Sequence, residues 1–164
     1  MKNTTKMKKI MAVLLIIVMA MGMAACGNNG GGADTVGGIL LEDFKANSEG
    51  TPQEIADRLL TNEVIQFPGV AAPVEPGLLA GFDNAEIKGF DEGVMFAPMM
   101  GTIPFMGYIF SLEDGADVEG FKQTLQDNAN LRWNICTEAE ELIVDSEGNT
   151  VFFLMSPKTF DEAE

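Results

Sequence analysis

Four lysines (Lys2, Lys6, Lys8 and Lys9), an unbroken apolar run over residues 10–21 and a cysteine behind two alanines fill the first 26 positions. This stretch constrains the fold more than any other, because a targeting segment is expected to stay out of the packed core. A positive start, an apolar centre and small residues at the end are the three parts of a secretory signal. A transmembrane helix is the alternative. A span needs about 20 apolar residues, and this run is shorter and leads into a glycine- and asparagine-rich tract. In either case the lysines orient to the cytoplasmic side.

Met23-Ala24-Ala25-Cys26 resembles the bacterial lipoprotein box, in which a cysteine follows two small residues. The resemblance implies a diacylglycerol on the Cys26 thiol and cleavage between Ala25 and Cys26. Residues 1–25 are then a lipoprotein signal peptide, and Cys26 is the lipidation site. Ordinary secretion with an incidental Cys26 is the competing reading. Two acyl chains make anchoring stable, since each buried CH₂ contributes about 0.8 kcal/mol. Cleavage also changes the charge. The signal carries four of the ten basic residues and none of the 25 acidic ones, so six basic residues remain and the net charge falls from −15 to −19. Such a body is repelled by an anionic surface.

Residues 27–38, GNNGGGADTVGG, hold six glycines and only one large side chain, Val36. With Cys26 they read as a flexible tether (26–38), with an r.m.s. reach of roughly 20 Å. The globular part is expected at 39–164, as a single domain long enough to fold without metal or disulfide. Cys136 is the only other cysteine, and it reads as a small buried hydrophobe.

Within the domain, Thr51-Pro52-Gln53-Glu54 is a helix start with a cap, a proline where no N–H is needed and a capping-box glutamate. It predicts a helix over 52–65. Residues 66–83 contain Pro68, Pro73 and Pro76 and read as an irregular connector, with a short helical turn near Gly77–Gly81. Strand-like runs follow at Ala85–Phe90, Val94–Met99 and Phe105–Leu112. Asp117 caps a second helix over 117–131, with Val118, Phe121, Leu125 and Ala129 on one stripe. Leu142–Val144 and Thr150–Met155 flank a turn rich in residues that tolerate positive φ, and so read as a hairpin. The expected class is α+β, an antiparallel sheet of four to five strands with both helices packed on one face.

The signal and lipid cysteine, the glycine tether, the capped helix and Phe96-Ala97-Pro98-Met99-Met100-Gly101-Thr102 together resemble a family of small Gram-positive bacterial lipoproteins. The Val118–Leu125 helix and the Gly148–Ser156 strand fall in the order found there. The resemblance covers about 51–157. It implies a lipid-anchored extracytoplasmic domain of unknown function, and it brings no catalytic residue.

The chain has no histidine. That removes His-based acid–base catalysis, the Ser-His-Asp and Cys-His systems and His-ligated zinc. The acidic balance argues against a nucleic-acid partner. Gly101-Thr102-Ile103-Pro104 lacks the lysine and glycine spacing of a phosphate loop, and no nucleophile-elbow, paired-cysteine or zinc-helix motif is present. No catalytic, cofactor-binding or metal-binding residue is assigned, and no cofactor is expected. Three acidic turns offer what chemistry there is: Asp91-Glu92, Glu113-Asp114-Asp117 and Asp145-Glu147. They read as solvated turn and cap residues. Converged, they would suit Ca²⁺ or a carboxylate-based hydrolase. Met95, Met99, Met100 and Met106 read as core filling, with soft-metal ligation as the alternative. Trp133 reads as closing the core edge or as part of a ligand patch. The expectation is a lipid-anchored, non-enzymatic binding module at the outer membrane face. Its partner would be an envelope protein or a small extracellular ligand.

Overall fold

The computed structural model describes residues 32–160. Cys26 and the whole signal segment lie outside the described residues.

The first helix, α1 (Val36–Ala46), starts inside the stretch read as tether. Thr35 caps it, its Oγ1 accepting from the N–H of Gly38 at 3.1 Å. Val36, Leu40 and Phe44 are four residues apart and form one buried stripe. Residues 36–38, expected in the tether, are therefore part of a packed helix. Gly37 and Gly38, two of the glycines that suggested slack, lie in close-packed surroundings. A Cβ on Gly37 would come within 2.5 Å of Ile143 Cδ1 and 2.7 Å of Glu141 Oε1.

α2 (Pro52–Leu59) follows with the expected capping box. The Thr51 N–H donates to Glu54 Oε2 at 2.9 Å, and the Glu54 N–H donates to Thr51 Oγ1 at 3.3 Å. The Thr51 N–H and, after it, the Thr51 hydroxyl hold the Glu54 carboxyl below its ordinary value. The helix ends at Leu59, short of the expected residue 65.

The remaining elements are β1 (Gly69–Val74), β2 (Gly77–Leu78), β3 (Glu86–Ile87), β4 (Glu92–Pro98), β5 (Met106–Ser111), α3 (Val118–Asn128), β6 (Glu141–Glu147) and β7 (Thr150–Ser156). Five of the strands form one antiparallel sheet in the order β1-β4-β5-β7-β6. The class is α+β, as expected.

Three details differ from the sequence reading. The proline-rich connector contains a sheet strand, β1, whose Pro73 faces Val94 across the ladder. It sits on an edge, where a residue without an N–H is tolerated. The run Ala85–Phe90 supplies only β3, which pairs with β2 in a separate two-stranded ribbon, and that ribbon replaces the expected helical turn. Finally, the helices do not share a face. Val36, Leu40, Ile55 and Leu59 of α1 and α2 pack with Phe96, Ile109, Phe152 and Leu154 on one side of the sheet. Phe121 and Leu125 of α3 pack with Tyr108, Phe110, Val151 and Phe153 on the other, together with Phe82, Ile87 and Phe90. A strand covered on both sides reads as a continuous apolar run, and Val151–Met155 is such a run.

Candidate functional site

Strand register creates a cleft. Glu92 of β4 stands opposite Ser111 of β5, and the Asp91 N–H donates to the Ser111 carbonyl at 2.8 Å. This sets the turn before β4 beside the turn after β5. Two acidic turns about twenty residues apart in sequence thereby meet. Asp91, Glu113 and Asp117 line a cleft of about 640 Å³ with Lys88 on its rim and Phe90, Leu112 and Phe121 at its base. The aromatic base is packed against its neighbours. Phe90 lies 4.8 Å from Phe110 and 6.3 Å from Phe121, centroid to centroid.

The three carboxylates are exposed. Asp117 also has a structural task, its Oδ1 accepting from the Gly120 N–H at 3.0 Å as the cap of α3. Asp114 points to the neighbouring hairpin and accepts from Asn149 Nδ2 at 3.0 Å. Among the described residues no three Asp, Glu or Cys side chains converge on a point that would hold a metal ion. The cleft therefore offers a wet acidic rim over an apolar base.

Asp145, in the third acidic stretch, does not line this cleft. Asp145 on edge strand β6 pairs with Lys45 of α1 at 2.6 Å and with Lys122 of α3 at 3.7 Å. Partial burial raises its pKa. The Lys45 hydrogen bond, the Ser146 N–H and the two lysine charges more than offset that, so the carboxyl sits below its ordinary 3.8. A single side chain thus ties the layers on both faces to the sheet edge.

Sequence reasoning missed Glu141. It is 3% exposed at the start of β6. Its Oε1 accepts from the Gly37 N–H at 2.7 Å and from Ser156 Oγ at 2.9 Å. Its Oε2 is buried with no partner among the described residues. A carboxyl at a helix N-terminus is favoured by the free N–H groups there. The only trace of it in the sequence is a Glu opening an apolar run.

The remaining single residues fall as follows. Met106 is buried and Met95 half-buried in the α3-side core, whereas Met99 and Met100 are 68% and 80% exposed. Trp133 is half-buried against that same core. Cys136 is exposed, against the expectation of burial. It lies in the irregular segment between α3 and β6. Burial pushes the Tyr108 hydroxyl above its usual range, and that hydroxyl donates to the Ala80 carbonyl at 3.0 Å.

A scan against protein-family models, a search of curated proteins and a search of solved structures each found no match.

Proposed function

We propose that this chain is a lipid-anchored extracytoplasmic binding module, in line with the small lipoproteins its sequence resembles. Its cleft captures a ligand that carries a positive charge and a short apolar part. One observation supports this most: the β4–β5 register gathers Asp91, Glu113 and Asp117 above Phe90, Leu112 and Phe121. The acidic rim attracts a cation and the apolar base accepts what is attached to it. Binding fits these groups better than catalysis does. The carboxylates are exposed and hydrated, and no activating partner side chain sits beside them among the described residues. A lipid on Cys26 raises the effective concentration of a weak binder at the membrane.

Titration calorimetry of the full processed chain in detergent tests the reading, with spermidine and a short lysine-containing peptide as probes. Asp91→Asn combined with Glu113→Gln is expected to weaken binding at least tenfold, about 1.4 kcal/mol. Equal binding by the double variant overturns the cleft assignment. Turnover of a peptide or glycan that the double variant loses without unfolding would favour the hydrolase. Separately, Cys26→Ser is expected to release the chain from the membrane fraction.

A further inference from the structure

The two ends of the sheet differ in charge and polarity. At one end lie the close of β1, the start of β4, the turn after β5 and the β6–β7 turn. This end carries Glu75, Asp91, Glu92, Glu113, Asp114 and Glu147, with Lys88 as counter-charge. At the other end the β4–β5 connection, residues 99–105, has no charged residue at all. Met99 and Met100 stand 68% and 80% exposed on it. The segment after α3 joins the same end, since Asn134 Nδ2 donates to the Gly101 carbonyl and the Glu140 N–H donates to the Ser156 carbonyl. It presents Ile135 at 100% exposure. The same loops expose Arg132 and Lys158 together with two acids, Glu138 pairing with Arg132 at 3.1 Å and Glu140 accepting from the Lys158 N–H at 2.9 Å, so their charges balance.

The N-terminus also leaves from this end, because the Val36 N–H donates to the Lys158 carbonyl at 2.9 Å. Nine residue steps separate Cys26 from Thr35. Even fully extended they reach no more than about 30 Å. We propose that Met99, Met100 and Ile135 form a bilayer-facing tip that inserts into the interface of the membrane holding Cys26. This rests on lipidation of Cys26. The occupant follows from where the anchored chain departs and from charge. An anionic surface repels the acidic end, which leaves the end with the uncharged 99–105 connection and its exposed apolar side chains to face the bilayer. Exposed apolar side chains grouped at one end mark an interaction surface.

The test uses the full lipidated chain in phosphatidylcholine–phosphatidylglycerol vesicles. An environment-sensitive dye is attached at Met100→Cys or, as control, at Glu147→Cys, each with Cys136→Ser. The dye at position 100 is expected to shift to the blue and to be quenched by spin-labelled acyl chains at least threefold more than the dye at 147. Met99→Asp with Ile135→Asp should abolish that difference. Equal solvent exposure at both positions, with the chain still vesicle-bound, overturns the tip and leaves lipidation standing. A wild-type chain that stays off the vesicles overturns both.

Discussion

At the scale of single residues, Glu141 is the most demanding side chain in the fold. It is a buried carboxyl that meets one backbone N–H and one hydroxyl. Removing it leaves the Gly37 N–H and Ser156 hydroxyl without their acceptor in a dry site. Glu141→Ala is therefore expected to cost about 2–4 kcal/mol, read by urea unfolding. The loss should appear first as weakened hydrogen-exchange protection in α1. Gly37 has the complementary role. Alanine usually favours a helix over glycine, but here Ile143 and Glu141 occupy the space a methyl would need. Neither residue was legible in the sequence. Glycine density in 27–38 hid the Val36, Leu40, Phe44 stripe, because composition reports slack and close approach with the same letter.

At the scale of elements, legibility followed local chemistry. Thr51-Pro52-Gln53-Glu54 wrote its own capping box, and Asp117 and the Gly148 turn were equally plain. β1 was hidden because Pro73 is a strand breaker everywhere but at an edge, and edge position is a property of the finished sheet. The cleft was half legible. Its acids were visible as turn residues, but the meeting of Asp91 with Glu113 and Asp117 depends on strand register. Asp145 acts at this scale by tying α1, α3 and β6 together. Its folded pKa lies below 3.8, so its stabilisation is present above 3.8 and is lost as pH falls through the folded value. Asp145→Asn should cost on the order of 1 kcal/mol near neutral pH. In a pH series of denaturant melts the gap from wild type should close below 3.8.

For the whole molecule, two apolar clusters share the central strands, so the layers on either side of the sheet are expected to melt together. Calorimetry of the full chain should show one cooperative transition, unmoved by a chelator. A chelator-induced fall of many degrees would show that a bound ion stabilises the native state. The shared strands also set a schedule. β7 comes after every other described strand in sequence, yet it lies between β5 and β6 and is the only partner of β6. While the chain emerges N-terminus first, from a ribosome or across a membrane, β6 has nothing to join and the sheet stays open. Closure waits for residues 150–156. A chain cut before them would keep β1, β4 and β5 paired but would lack the strand that joins them to β6.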